Sequence, residues 1–303
     1  MSKVLIISGP TATGKTKLAL EIAQKFSGEI VSADSRQVYT GKNLIHGKDL
    51  PPNPKAQISS LKWRSKNLKY YVVDGIKIWL YDVVNPGEEF NVSFWKECAD
   101  LVISDIISRK KLPIIVGGTG LFIKSLTHDL STINVPLDRN LRKKLENQSP
   151  EQLFNYLKSI NEKKADNLND SDRHNPRRLI RAIEISLAPP PLTAKTRAAG
   201  EKLRGGWGRR YLQIGLIASR DFLYQLVDQR IASRISAGAV SEDSDLAAHP
   251  ESWQSMEHKI IRHQLTWFAT HPPDHWFYIT KPSWQSFALS YVDAWYNESS
   301  PPS

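Results

Sequence analysis

Cysteine is nearly absent from the sequence, with Cys98 as the single one among 303 residues. One cysteine can form neither a disulfide within the chain nor a thiolate cluster for zinc. Long hydrophobic runs are lacking too, since no apolar stretch approaches the roughly 20 residues that span a bilayer. The short run Val4–Ile7 leads directly into a glycine motif and does not resemble the core of a signal peptide. We therefore expect a cytoplasmic protein without membrane contact.

Acidic residues are in deficit, because 31 Asp and Glu stand against 41 Lys and Arg, a formal net charge of +10 at pH 7. Such an excess favours a polyanionic partner, since each phosphate contact releases condensed counterions. A basic protein that binds no nucleic acid would have the same composition, so charge alone leaves both interpretations open. The 40% of hydrophobic and 24% of charged residues are typical of a globular protein.

Short β-rich runs alternate with helical patterns over much of the chain. The predicted strands are 3–9, 29–33, 112–116, 212–217 and 275–279. The predicted helices are 14–26, 92–109, 221–238 and 255–268, with one more after Gly120 and one that closes the chain. This alternation is typical of βαβ units and predicts an α/β fold, a parallel sheet flanked by helices.

Strand signals vanish between about 130 and 185, where charged helical stretches take over. We therefore predict a helical insertion domain at 129–187, set within a core domain formed by 1–128 and 188–303. Loops are predicted for the polar or glycine- and proline-rich stretches 188–210 and 241–254.

The most specific local signal follows the first predicted strand and fits the phosphate-loop spacing G-x-x-x-x-G-K-[ST]. It consists of Gly9, Pro10, Thr11, Ala12, Thr13, Gly14, Lys15 and Thr16. Glycines let backbone N–H groups point into one concavity, the following helix N-terminus adds partial positive charge, and Lys15 adds a full charge. The hydroxyl of Thr16 is a predicted ligand of Mg²⁺. The motif predicts di- or triphosphate binding in a P-loop NTPase-like sheet, and leaves open whether the nucleophile attacks phosphorus.

Asp34 follows the second predicted strand. The carboxyl ends of parallel strands lie on one side of a sheet, so Asp34 is expected to face whatever the phosphate loop binds. There it would hold Mg²⁺ or accept a proton. The structural alternative is an N-cap for the segment that follows, since Asp is a good capping residue.

Several segments, in order along the chain, resemble one family, the tRNA dimethylallyltransferases. They are GPTATGKT (9–16), SADSRQVYTG (32–41), VGGTGLFI (116–123), DRHNPRRLIRAIE (172–184) and QLTWF (264–268). The resemblance implies transfer of a dimethylallyl group from dimethylallyl diphosphate to N6 of adenosine 37 of tRNA, next to the anticodon, with release of pyrophosphate. Mg²⁺ is expected as a cofactor from the phosphate chemistry. We expect a monomer.

The resemblance also implies roles for individual residues. Asp34 matches the general base, Thr16 a residue near the bridging oxygen, and Arg220 an arginine that contacts the diphosphate. A surface arginine at a helix start is the alternative for Arg220. Contact with the target nucleotide is implied for the segment Asp34, Ser35, Arg36 and Gln37, and for Thr119 near the same channel. A simple strand-to-helix turn is the alternative for Thr119.

Residues 172–210 hold ten Lys or Arg against three acidic residues. Contact with the tRNA backbone is the natural interpretation, and a solvated helical surface is the alternative. Within this segment we single out Arg177, Arg178 and Arg181 on a predicted helix, where Arg177 and Arg181 share a face because they are four residues apart.

Two segments depart from the family pattern. After Gly41, relatives usually continue M-D-I-G-T-x-K, whereas this chain has KNLIHGK over 42–48. The G-Y-[KR]-[EQ] segment expected before Gln264 is missing, and a shorter interval containing SEDSD (241–245) stands there instead. Two alternatives therefore stay open beside the transferase: a P-loop kinase of a nucleotide or small molecule, and a tRNA-binding relative without turnover.

Overall fold

The computed structural model describes residues 2–128, 130–188 and 209–298. These residues divide into two compact units. The first unit contains 2–128 and 209–298, and the second contains 130–188.

The first unit is built on an eight-stranded sheet. Its strands are β1 (Ser2–Ser8), β2 (Gly28–Ser32), β3 (Gln57–Trp63), β4 (Lys66–Val73), β5 (Ile76–Trp79), β6 (Leu112–Gly117), β7 (Arg209–Ile217) and β8 (His275–Tyr278). The strand order is β3-β4-β5-β2-β6-β1-β7-β8. The six strands from β5 to β8 in this order are parallel, whereas β4 runs antiparallel to β5 and β3 antiparallel to β4. The predicted α/β fold with a parallel sheet is confirmed.

The described residues of this unit form seven α-helices. They are α1 (Lys15–Lys25), α2 (Val92–Ser108), α3 (Gly120–Thr127), α9 (Arg220–Ser236), α10 (Ser244–Ala248), α11 (Pro250–Thr270) and α12 (Trp284–Asn297). Side chains of β1 alternate between two hydrophobic clusters: Leu5 and Ile7 pack with α1 and α12, while Val4 and Ile6 pack with α2 and α3. Burial on both faces explains why this strand reads as an uninterrupted apolar run.

The strands β3, β4 and β5, which form two antiparallel hairpins, were not predicted from the sequence. The signal for them is Asp74-Gly75 between β4 and β5, where both residues have positive φ, 50° and 79°. Asp-Gly is a preferred pair in two-residue hairpin turns, because such turns require positive φ at both positions. The hairpins extend the sheet beyond β2. Asp82 follows β5 closely and lies beside the turns after β2.

The prediction of a loop over 241–254 is wrong for most of these residues, which are helical. Helix α10 begins after Asp243, whose carboxylate accepts a hydrogen bond from the N–H of Leu246 at 3.0 Å. Helix α11 begins at Pro250, which needs no N–H partner in the first turn of a helix. The polar composition of this stretch reflects helix-start residues rather than irregular backbone.

The second unit consists of short helices after a 3₁₀ turn at Ser131–Asn134. They are α4 (Arg139–Leu145), α5 (Pro150–Ile160), α6 (Glu162–Asp166), α7 (Asp170–Arg173) and α8 (Pro176–Leu187). Their core includes Leu153, Leu157, Leu179 and Ile183. Much of the loop predicted at 188–210, and the basic residues between 189 and 208, lie outside the described residues.

None of the helices in the described stretches combines the length and the apolar composition needed to cross a membrane.

Candidate active site

The phosphate loop joins the end of β1 to the start of α1. Gly9 has φ 136°, and a Cβ at this position would lie 2.2 Å from the carbonyl oxygen of Leu216 in β7. Only glycine permits both this conformation and this approach. Within the loop the Thr13 hydroxyl donates to the carbonyl oxygen of Pro10 at 2.9 Å, which holds the loop closed.

Lys15 lies at the first position of α1, as the motif predicts. Its ammonium donates to the carbonyl oxygen of Pro10 at 2.5 Å. Burial, assisted by the positive charge of Arg230, lowers the pKa of Lys15 to about 8. An anion beside this ammonium would favour its charged form.

A cavity of about 420 Å³ opens above the loop. Five of the eight predicted phosphate-binding residues line it: Thr11, Ala12, Gly14, Lys15 and Thr16. The other three, Gly9, Pro10 and Thr13, lie behind them in the loop. Apolar side chains line the same cavity, among them Leu20, Val116 and Leu226. One cavity therefore offers both a phosphate cradle and an apolar surface.

Asp34 lines this cavity at the carboxyl end of β2, with 18% of its side chain exposed. Its Oδ1 accepts a hydrogen bond from the N–H of Arg36 at 2.9 Å. Among the described residues no hydrogen bond reaches Oδ2. Oδ1 of Asp34 thus caps the following turn, while Oδ2 could accept a further hydrogen bond. A capping role and a role towards a ligand are therefore compatible for Asp34.

Arg36 lies between two carboxylates. Its guanidinium donates to Glu257 of α11, which is 1% exposed, and its Nε lies 3.8 Å from Oδ1 of Asp34. Burial alone would lower the pKa of Arg36, but the charges of Asp34 and Glu257 raise it. Arg36 therefore stays charged, and Glu257 is its closest partner.

The Gln37 amide is held on both sides. Its Oε1 accepts a hydrogen bond from the hydroxyl of Ser32 at 2.8 Å, and its Nε2 donates to the carbonyl oxygen of Gly47 at 2.7 Å. Gln37, Ser32 and Gly47 all line the cavity together with Asp34. The amide orientation follows from this hydrogen-bond pattern.

Ser35 and Thr119 contact each other close to this region. The N–H of Ser35 donates to the Thr119 hydroxyl at 2.9 Å, and the N–H of Thr119 donates to the carbonyl oxygen of Ala33 at 3.1 Å. Neither is among the described residues that line the cavity. Thr119 does lie in a strand-to-helix turn, between Gly117 and Gly120, and this turn supports the segment that carries Asp34.

Arg220 is placed differently from what we expected of a diphosphate ligand. It begins α9 with 61% of its side chain exposed, lies 3.4 Å from the carboxylate of Asp221, and is not among the described residues that line the cavity. The alternative interpretation, a surface arginine at a helix start, describes this position better. Ser219 caps the helix there by accepting a hydrogen bond from the N–H of Phe222.

Arg230, ten residues further along α9, lines the cavity instead. Its guanidinium donates to the hydroxyl of Thr11 at 2.6 Å. Burial lowers the pKa of Arg230, and the carboxylates of Glu257, Asp49 and Asp34 oppose this shift. No local signal predicts this residue, because nothing in the surrounding sequence distinguishes it from other arginines of the helix.

Gln264 of α11 is a second site residue that was not predicted. Its Oε1 accepts a hydrogen bond from the N–H of Thr11 at 2.9 Å, and its Nε2 donates to the carbonyl oxygen of Gly118 at 3.3 Å. It also lines the cavity. Gln264 therefore connects the phosphate loop to the turn after β6. The signal that could have found it is its position at the start of the segment QLTWF.

The three arginines predicted to bind tRNA lie on α8 of the second unit. Arg177 is exposed, and Arg178 forms an exposed ion pair with Asp172. Arg181 is engaged inside the unit: it donates to the carbonyl oxygens of Thr132 and Val135, both at 2.8 Å, and pairs with Glu184 at 3.0 Å. These contacts give Arg181 a structural role, because the guanidinium that would bind tRNA is already bonded within the unit.

The side chains that could hold a divalent cation are few. Within the described parts of the chain no group of three or more His, Cys, Asp or Glu side chains could hold a metal ion. The Thr16 hydroxyl lines the cavity beside Lys15. This donor set fits Mg²⁺ held mainly by phosphate oxygens and water, because Mg²⁺ usually keeps several waters and takes few protein ligands.

The family of the chain is decided by comparison with known proteins. A family model described as IPP transferase matches residues 71–269, and a second, described as Isopentenyl transferase, matches residues 2–55. The chain belongs to the IPP transferase family. As a family member it is 37% identical over 247 residues to a tRNA dimethylallyltransferase of Acetivibrio thermocellus, a match that covers 80% of this chain and 71% of the relative.

Similarity to other members of the family extends over nearly the whole chain. It is 31% identical over 312 residues to a tRNA dimethylallyltransferase of Anoxybacillus flavithermus, 92% of this chain and 91% of the relative. The crystal structure of a tRNA delta(2)-isopentenylpyrophosphate transferase from Staphylococcus epidermidis matches with a TM-score of 0.60 and 25% identity, covering 98% of this chain and 99% of that one.

The divergent 42–48 segment of this family member is an ordered turn. Lys48 is fully buried, and its ammonium donates to the carbonyl oxygens of Tyr39 and Gly41, both at 2.8 Å, and pairs with Asp82. Burial, assisted by Arg36 and Lys48, lowers the pKa of His46 to about 4, so its imidazole is neutral at pH 7. The altered sequence thus still forms a wall of the cavity, through His46 and Gly47.

Proposed function

We propose that this chain transfers the dimethylallyl group of dimethylallyl diphosphate to N6 of the adenosine at tRNA position 37, releasing pyrophosphate. The observation that carries the proposal is that one cavity is lined by the phosphate loop, by apolar side chains and by the carboxylate of Asp34. Relatives at 31% and 37% identity bear the name tRNA dimethylallyltransferase, which supports the same assignment.

The diphosphate of the donor would occupy the phosphate loop. Backbone N–H groups of the loop, the ammonium of Lys15 and the guanidinium of Arg230 would stabilise the negative charge that grows on the leaving group. Thr16 would hold Mg²⁺, which when bound neutralises part of that charge. The apolar side chains Leu20, Val116 and Leu226 suit the hydrocarbon part of the donor.

The nitrogen N6 of the adenine would attack carbon C1 of the donor. A C–N bond forms as the C1–O bond to the diphosphate breaks, and the bonding electrons leave with pyrophosphate. The attacking amine becomes positively charged and must lose a proton, which Asp34 would accept. Its Oδ2, which has no hydrogen bond among the described residues, is suited to this role.

The target base would have to leave the anticodon loop to reach Asp34, because chemistry on a base requires taking it out of the stack. The amide of Gln37 and the guanidinium of Arg36 lie beside Asp34 in the cavity and would contact the flipped nucleotide. Ser35 and Thr119 would contact it at the entrance. Arg177 and Arg178 would bind tRNA phosphates. A monomer suffices, since these residues belong to one chain.

The test is incubation of the purified protein with unmodified tRNA, dimethylallyl diphosphate and Mg²⁺, followed by nuclease digestion and mass spectrometry of the nucleosides. The expected result is an adenosine heavier by one dimethylallyl unit, mapped to the position beside the anticodon. Omission of the donor is the control. Bound tRNA without product would favour a relative without turnover, and label transferred from γ-labelled ATP to an acceptor would favour a kinase.

A further inference from the structure

Glu242 contacts a hydrogen-bonded turn over residues 42–47, which we call the 42–47 turn. Its two carboxylate oxygens accept hydrogen bonds from the N–H of Leu44 at 2.8 and 3.0 Å, and one of them also accepts from the N–H of Ile45 at 3.0 Å. The carboxylate supplies the acceptor that the N–H groups of Leu44 and Ile45 need. Glu242 therefore anchors the beginning of the turn.

The end of the same turn holds Gln37. Two backbone hydrogen bonds close the turn: the N–H of His46 donates to the carbonyl oxygen of Lys42, and the N–H of Gly47 donates to that of Leu44. The carbonyl oxygen of Gly47 then accepts from the Gln37 amide at 2.7 Å. Glu242 and Gln37 thus bind opposite ends of one hydrogen-bonded turn.

Asp243 adds a second anchor to the turn, since its carboxylate pairs with the ammonium of Lys42 at 2.7 Å. The two segments joined in this way, 42–48 and 241–245, are the two at which the sequence departs from the family pattern.

We propose that Glu242 is a positioning residue for the transfer reaction, acting through the 42–47 turn on the side chain of Gln37. The proposal rests on the proposed function, in which Gln37 contacts the target nucleotide. Without the carboxylate two backbone N–H groups lose their partner, and the Asp243–Lys42 pair remains as the anchor of the turn to the 241–245 segment. The Gln37 amide then loses its fixed acceptor, whereas the contacts of the phosphate loop with Arg230 and Gln264 are untouched.

The experiment is a double-mutant cycle on kcat/KM for tRNA with wild type, Glu242→Ala, Gln37→Ala and the double variant. We expect Glu242→Ala to lower kcat/KM about tenfold, the effect typical of removing a charge-assisted hydrogen bond, and to have no further effect when Gln37 is already Ala. The Kd of dimethylallyl diphosphate should stay within about twofold of wild type. Asp245→Ala removes an acidic residue of the same segment that does not bind the turn and should leave all values unchanged.

The proposal would be overturned if the double variant lowered kcat/KM by the product of the two single effects. Such independence would show that Glu242 does not act through Gln37. Glu242→Gln, which keeps an acceptor oxygen, should recover most of the activity. If Glu242→Ala unfolds, the cycle is repeated with Glu242→Met, which keeps the size of the side chain and removes the carboxylate. Failure of the proposed function looks different: the wild-type protein would then form no product.

Discussion

The guanidinium of Arg230 donates a hydrogen bond to the hydroxyl of Thr11, 2.6 Å away across 219 residues of sequence. This contact joins the middle of α9 to the phosphate loop. It places a positive charge beside Lys15, and that charge contributes to the lowered pKa of the lysine. Lys15 and Arg230 therefore lie together as two cations at the phosphate loop.

Substitution of Arg230 should weaken binding of the donor. We expect Arg230→Met to raise the Kd of dimethylallyl diphosphate at least about tenfold, because a charge-assisted hydrogen bond to phosphate is removed. The measurement is isothermal titration calorimetry. Arg220→Met is the matched control on the same helix and should change Kd less than about twofold, since Arg220 is largely exposed and pairs with Asp221. A larger increase in Kd for Arg220→Met than for Arg230→Met would instead assign the diphosphate contact to Arg220.

Affinity for the diphosphate should depend on pH through Lys15. Its pKa of about 8 in the free protein lies below the ordinary value of 10.5, so the ammonium is charged below pH 8 and loses its proton as the pH rises above it. Binding of dimethylallyl diphosphate should therefore weaken with each step from about pH 7.5 to about pH 9.5. Lys15→Arg keeps its charge over this range and should give a flat profile. An equally steep profile for both proteins would assign the titration to another group.

Asp34 should control turnover more than binding. We expect Asp34→Asn to lower the single-turnover rate about 10² to 10⁴-fold, the range typical of removing a general base. The same substitution should leave the Kd of tRNA nearly unchanged, because Asn keeps the size of the side chain and can still accept from the N–H of Arg36. Filter binding measures this Kd. A rate within about threefold of wild type would remove Asp34 from the role of base.

Substitutions of the three arginines of α8 should have two different effects, one on tRNA binding and one on stability. Arg177→Ala with Arg178→Ala should raise KM for tRNA and reduce the slope of log K against log salt by about one for each arginine that binds a phosphate. Arg181→Ala should instead destabilise the second unit by about 2 kcal/mol, because two carbonyl oxygens and Glu184 are left without the hydrogen bonds of a partly buried guanidinium. Urea denaturation followed by circular dichroism measures the difference. A reduced salt slope for Arg181→Ala alone would reverse the assignment.

Local signals predicted the parallel part of the fold well. The strands β1, β2, β6, β7 and β8 are short, β-rich runs bounded by turn residues, and the phosphate loop is a contiguous motif. The antiparallel hairpins were missed although Asp74-Gly75 marks the turn between two of their strands. The loop predicted at 241–254 was wrong because Asp243 and Pro250, which begin helices, also occur in irregular segments.

The site was predicted only where its residues are neighbours in sequence. Lys15, Thr16 and Asp34 follow strands whose carboxyl ends meet, so a single rule brings them together. Arg230, Gln264 and Glu257 reach the site from helices more than 200 residues away along the chain. No spacing rule connects such distant positions, because the packing of α9 and α11 decides which of their side chains face the loop.

The close approach of Gly9 to Leu216 has a consequence for synthesis on the ribosome. Strand β1 is made first, yet its neighbour β7 and the hydrogen-bonding side chains of Arg230 and Gln264 are made only after the whole helical unit. A nascent chain that ends before β7 has the loop sequence without the strand against which the loop closes. The contacts that hold the phosphate loop are therefore completed late, when Gln264 has emerged.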